Sequence, residues 1–93
     1  MFLSCKLFHI YIPMSQSLKN KRSIITALKR RLRNNFNISV SEVDNHDVWK
    51  SATIAIAMVG NDRRYVEKKS SDIQNFIKKH FYELEITKIE DYF

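Results

Sequence analysis

Between Leu3 and Ile12 apolar residues occupy both alternations of the chain, with Phe8, Ile10 and Ile12 on one side and Leu3, Cys5, Leu7 and Tyr11 on the other. A period of two with both faces apolar predicts a strand that is central in its sheet, or one whose second face is covered. Pro13 closes that strand, and Ser15 or Ser17 is placed to cap a helix by accepting a hydrogen bond from an unpaired first-turn N–H. The period then becomes helical. At about 100° per residue, Leu18, Ile25, Leu28 and Leu32 fall within an arc of about 80°, flanked by Ile24 and Ala27. This helix is expected to end near Asn34 and Asn35, with Phe36 as its closing anchor.

Alternation returns from Asn37 to Val43, which places Ile38 and Val40 on one face of a second strand. Asp44, Asn45, His46 and Asp47 make a polar turn, and a third strand is predicted from Trp49 to Val59, where Ile54, Ile56 and Met58 alternate with Thr53, Ala55 and Ala57. Two strands joined by a short polar loop form a hairpin. Gly60 and Asn61 break the strand, Asn61 or Asp62 caps a second helix running to about His80, and its apolar positions are Tyr65, Val66, Ile73, Phe76, Ile77 and Phe81. The stretch Leu84 to Phe93 alternates weakly among acids and reads as a terminal edge strand. The order βαββαβ predicts an α+β ferredoxin-like sandwich: a four-stranded antiparallel sheet with two helices on one face. The right-handed crossover rule gives strand order 4-1-3-2, which puts the two most apolar strands, the first and third, at the centre.

The chain's 93 residues correspond to one domain, residues 1–93, near the size at which roughly 60 to 65% of the unfolded surface is buried. A hydrophobic content of 44% with 28% charged residues argues for a folded protein and against disorder. Cys5 is the only cysteine, so an intramolecular disulfide and a thiolate-built metal site are excluded. The apolar N-terminal segment lacks a basic leader and a small-residue cleavage site, and no run reaches the roughly 18 apolar residues of a spanning helix. The expectation is a cytoplasmic protein with no membrane partner.

Charge adds the strongest functional signal. The first 41 residues hold eight Lys or Arg and no Asp or Glu. Lys19, Arg22, Lys29, Arg30 and Arg33 lie within an arc of about 100° on the wet side of the first helix and extend over about 21 Å, enough to follow several phosphates of a folded RNA. A merely solvated helix often carries Glu and Lys in i,i+4 pairs, and here acids are absent. Lys21 and Arg31 depart from that side, and pairing of Lys21 or Arg31 with Glu42 or Asp44 is expected instead. These five cations are the candidate RNA-binding residues.

Other constellations carry less. The open face of the sheet offers Leu3, Leu7, Ala55 and Ala57, a flat apolar patch suited to a second subunit, with Tyr11 and Trp49 as aromatics for base stacking. Glu42, Asp44, His46 and Asp47 gather an imidazole and carboxylates on one turn, a set read as a solvated loop, with metal binding or proton transfer as the sharper alternative. No remote cluster supports that alternative, and the single glycine rules out a glycine-rich phosphate loop. No catalytic residues, metal ligands or cofactor are assigned.

Three segments, SLKNKR at Ser17 to Arg22, LKRRLRNNFNISVSEVD at Leu28 to Asp44 and DVWKSATIAIAMVGND at Asp47 to Asp62, together resemble the YlxP-like family of small bacterial proteins, a domain of unknown function. Lys50 and Ser51 stand where that family commonly has Gln-Arg, and Ala55 where it commonly has Gly. The resemblance implies a ferredoxin-like fold in a cytoplasmic bacterial protein and, because relatives are often encoded beside translation initiation and ribosome-maturation factors, a link to the ribosome or its RNA by association. It places Ser17, Leu18, Lys19, Lys21 and Arg22 at the start of the basic helix, and Glu42, Asp44, Asp47 and Trp49 around the hairpin. It implies no activity and no cofactor. The resulting expectation is a non-catalytic RNA-binding or ribosome-associated factor, with a homodimeric interaction module that meets an acidic protein partner as the alternative.

Overall fold

The N-terminal alternation forms β1 (Phe2–Tyr11), and the helical period after Pro13 forms α1 (Leu18–Asn35). β2 (Ser39–Asp44), β3 (Ser51–Gly60), α2 (Arg63–His80) and β4 (Glu85–Asp91) complete the βαββαβ order in a computed structural model that describes residues Met1–Phe93. The sheet runs β2-β3-β1-β4, the expected order read from the opposite edge, and every pairing is antiparallel. This is an α+β, ferredoxin-like arrangement.

Register explains why the two central strands had to be apolar. Phe8 lies opposite Ile54 in β3 and Ile89 in β4, and Ile10 lies opposite Ala52 and Ile86. These side chains share one face, and they form a single core with Ile25, Leu28 and Leu32 of α1 and with Ile73, Ile77 and Phe81 near α2. Both helices therefore cover the same side of the sheet. Each such fully buried aliphatic or aromatic side chain stabilises the fold by roughly 1.5 to 3 kcal/mol relative to exposure.

The helices begin and end alike. The Ser17 hydroxyl accepts from the Asn20 N–H at 2.9 Å and the Asp62 carboxylate from the Tyr65 N–H at 2.9 Å, so each first turn is capped by a side-chain oxygen. Phe36 and Phe81 close the two helices in extended or irregular backbone, their N–H groups donating to Leu32 and Ile77 carbonyls, and both rings reach toward the core. Gly60 sits where α2 comes closest to the end of β3. A Cβ there would meet Tyr65 Cδ1 at 2.7 Å and Val66 Cγ2 at 2.8 Å.

Two segments differ from expectation. Trp49 and Lys50 lie outside β3, because the hairpin turn continues through them, and the Lys50 carbonyl accepts from the Ile12 N–H at 2.7 Å. On β1, Lys6 shares the core-facing alternation with Phe8 and is buried. Its ammonium is met by Asp91, its partner in the β1–β4 register, and by Glu67 of α2 at 3.4 Å. A lysine survives there because two carboxylates compensate its lost hydration. No helix is long and apolar enough to cross a membrane.

Candidate nucleic-acid interface

The α1 track is built as a by-product of packing. With Ile25, Leu28 and Leu32 turned into the core, the opposite side must face solvent, and there Lys19, Arg22, Arg30 and Arg33 are exposed while Lys29 is half-buried. Arg22 has one acidic neighbour, Asp47 of the β2–β3 turn at 4.0 Å, an exposed pair of the kind that contributes little to stability. The other four cations of the track make no ion pair.

Lys21 and Arg31 serve the fold, but only one of them finds the expected partner. Lys21 is fully buried, and its Nζ stands 2.9 Å from Glu42 Oε2 and donates to the Asn45 carbonyl. Arg31 does not pair with a carboxylate. Its guanidinium lies over the rings of Phe76 at 5.5 Å and Phe81 at 5.3 Å and meets His80 Nδ1 at 3.4 Å, so it fills the seam between the two helices. Ser17 acts as the α1 cap described above.

Around the hairpin the candidate residues diverge. Glu42 points to Lys21, Asp44 accepts from the Asn45 N–H at 2.8 Å, Asp47 faces Arg22, and His46 Nε2 lies 3.0 Å from the Glu42 carbonyl. No three His, Cys, Asp or Glu side chains converge as metal ligands would. Asn45 adopts φ 62°, a left-handed conformation that asparagine tolerates better than most residues. Trp49 stands on the turn, 53% exposed, and not on the open sheet face where it was expected. Tyr11 does lie on β1 at that face.

The largest signal missed in the sequence is the basicity of α2. Arg63, Arg64, Lys68, Lys78 and Lys79 are exposed on it and Lys69 is half-buried. Thirteen of the sixteen Lys and Arg residues therefore lie in the two helices, against only Glu67 and Asp72 among the ten acids. Only Lys68 is matched on its own helix, with Asp72 at 3.4 Å. Of the remaining eight acids Asp62 caps α2 and seven belong to the strands and their loops, against Lys6, Lys50 and Lys88 there, so the two layers of the sandwich carry opposite charge.

The acidic layer is held by specific contacts at the β1–β4 edge. Burial pushes the Lys6 ammonium down, but hydrogen bonding and charge from Asp91 and Glu67 outweigh it and hold Lys6 above the ordinary lysine value. The same hydrogen bond holds the Asp91 carboxyl below its usual range. Glu90 is held low as well, first by its hydrogen bond with His9 and then by the charge of Lys88 at 3.7 Å.

On the open face, one end of the sheet carries a shallow groove of about 510 Å³. Leu3, Cys5, Ala57, Val59 and Phe93 supply most of its apolar wall.

Residues 4–91 match the family described as Protein of unknown function (DUF503). The chain is also similar to the Uncharacterized protein YlxP of Bacillus subtilis (strain 168), with 37% identity over 71 residues that span 76% of each chain. The YlxP-like motifs are now parts of one structure, with Ser17 capping the helix on which Lys21 reaches Glu42 across the layers. With the family match covering nearly its whole length, this chain belongs to the DUF503, YlxP-like family of proteins of unknown function.

Proposed function

We propose that the protein is a non-catalytic RNA-binding or ribosome-associated factor whose helical layer contacts phosphates. The observation that carries this reading is the partition of charge between the layers: a helical surface rich in exposed Lys and Arg with two acids, backed by an acidic sheet. Such a surface attracts a polyanion through counterion release, and folded RNA offers phosphates at a spacing that a rigid helix pair can follow. Arg22, Arg30 and Arg33 supply planar, bidentate donors, while Lys19 and Lys29 supply point charges.

The test is binding of structured RNA at low salt by the wild type and by the triple variant Arg22→Glu, Lys29→Glu, Arg33→Glu. Loss of binding with an unchanged circular dichroism spectrum is the expected result. Full binding by the variant rejects this surface.

A second reading rests on the open sheet face. Leu3 and Val59 are about half exposed there, and the centre of the face carries no Lys or Arg, so two copies of a chain with net charge +6 can meet on it without bringing their helical layers together. Light scattering tests this homodimer, and competition between RNA and an acidic peptide for the helical layer separates an RNA ligand from an acidic protein partner.

A further inference from the structure

We propose that Trp49 is a stacking platform for an unpaired nucleobase, the contact that lets the protein prefer looped or single-stranded RNA over a plain duplex. This rests on the phosphate-binding reading above and adds a second kind of contact to it.

Three features of the hairpin support the assignment. The indole is 53% exposed, although tryptophan is costly to leave in water, and no cation or aromatic ring covers it. The turn that presents it is fixed on both sides. Before it, the Asn45 carbonyl accepts from Lys21 Nζ and from the Val48 N–H at 3.1 Å, and Asn45 Nδ2 donates to Thr53 Oγ1 at 3.2 Å. After it, the Lys50 carbonyl accepts from the Ile12 N–H. A ring on a braced turn loses little conformational freedom when a ligand stacks on it.

Position supplies the third feature. Asp47, two residues before Trp49, lies 4.0 Å from Arg22, so the turn stands beside the N-terminal end of the α1 cation track. The exposed carboxylates of Asp44 and Asp47 repel a phosphate at the tip itself. A neutral base reaching out from a backbone held on α1 meets no such repulsion. Aromatic stacking on a base is tolerant of sequence, so the contact would read the absence of pairing and not a base identity.

Trp49 is the only tryptophan in the chain, which makes intrinsic fluorescence a direct report on this ring. A stem-loop RNA with unpaired loop nucleotides and a blunt duplex of the same stem are each titrated at low salt, with fluorescence read alongside the anisotropy of labelled RNA. The expected result is binding of both RNAs, quenching by the stem-loop alone, and a loss of roughly 5- to 100-fold in stem-loop affinity for Trp49→Ala, with duplex affinity unchanged. Trp49→Phe should retain most of the stem-loop affinity. Stem-loop binding without quenching, equal quenching by the duplex, or an equal loss for both RNAs in Trp49→Ala overturns the stacking role while leaving the phosphate surface intact. Absence of any RNA binding by anisotropy removes the phosphate-binding reading and this one with it. Quenching by an apolar peptide and by neither RNA assigns the turn to a protein partner and also overturns it.

Discussion

Lys21 Nζ stands 2.9 Å from Glu42 Oε2, an ion pair between the start of α1 and the edge strand β2 that is wholly closed to water on the lysine side. Oε2 is buried without an aligned hydrogen-bond donor, so the charge of Lys21 is its sole compensation. Lys21→Met removes that compensation and also the donor to the Asn45 carbonyl. The expected loss is about 3 kcal/mol, measured as a lower urea midpoint. The double variant Lys21→Met, Glu42→Leu should recover most of it, since no buried charge then remains. Equal stability of the single and double variants would contradict this account.

Adjacent arginines on α1 should separate by role. Arg31→Ala removes the contacts to Phe76 and Phe81 and is expected to cost about 1 kcal/mol while leaving RNA affinity close to that of the wild type. Arg30→Glu should do the reverse, weakening RNA binding with a stability change within about 0.5 kcal/mol. Denaturation and binding measured on the same two proteins decide it.

The division into basic helices and an acidic sheet predicts the salt response. If α1 alone neutralises about four phosphates, log K against log salt should have a slope of roughly −3 to −4. If α2 shares the ligand, the slope is steeper, and Lys78→Glu, Lys79→Glu lowers its magnitude by about one unit for each phosphate that is no longer neutralised.

Much of this was legible in the sequence, for a physical reason. Period-two and helical apolar patterns are what burial demands of Ile10 and Ile54 or of Leu28 and Leu32, so the elements, their order and the α1 track could be read directly. Lys6 could not, because a lysine in a strand looks like an interruption until Asp91 and Glu67, far away in the chain, are brought beside it. The basicity of α2 does not show in the charge of residues 42–93 taken together, eight bases against ten acids, because eight of those acids lie outside the helix. Trp49 favours strands by propensity, yet the left-handed Asn45 and the Lys50–Ile12 hydrogen bond keep it in the turn.

Stability should depend on pH at both extremes through the β1–β4 edge. Glu90 and Asp91 have folded-state values below their ordinary 4.5 and 3.8, so their contribution is present above those values and is lost as pH falls through the depressed ones. Lys6 is raised above 10.5, so its contribution is complete below that value and is lost as pH rises through the elevated one. Asp91→Asn should flatten the acid limb of the stability profile and lower stability at neutral pH. Hydrogen exchange should show the β4 amides opening first on acidification.

Gly60→Ala should destabilise by about 1 to 3 kcal/mol, because the new methyl group meets Val66, which is buried and cannot swing aside as the exposed Tyr65 can. A lower urea midpoint with an unchanged m value would confirm overpacking at this junction.

The opposite charge of the two layers also makes the molecule an electrical dipole, with its positive pole across the helices and its negative pole along the sheet. In the field of any extended polyanion such a body feels a torque before it feels a contact, and it turns so that the helices lead. Encounter is then selective in orientation as well as fast, and the sheet face is left pointing away, free for whatever meets it there.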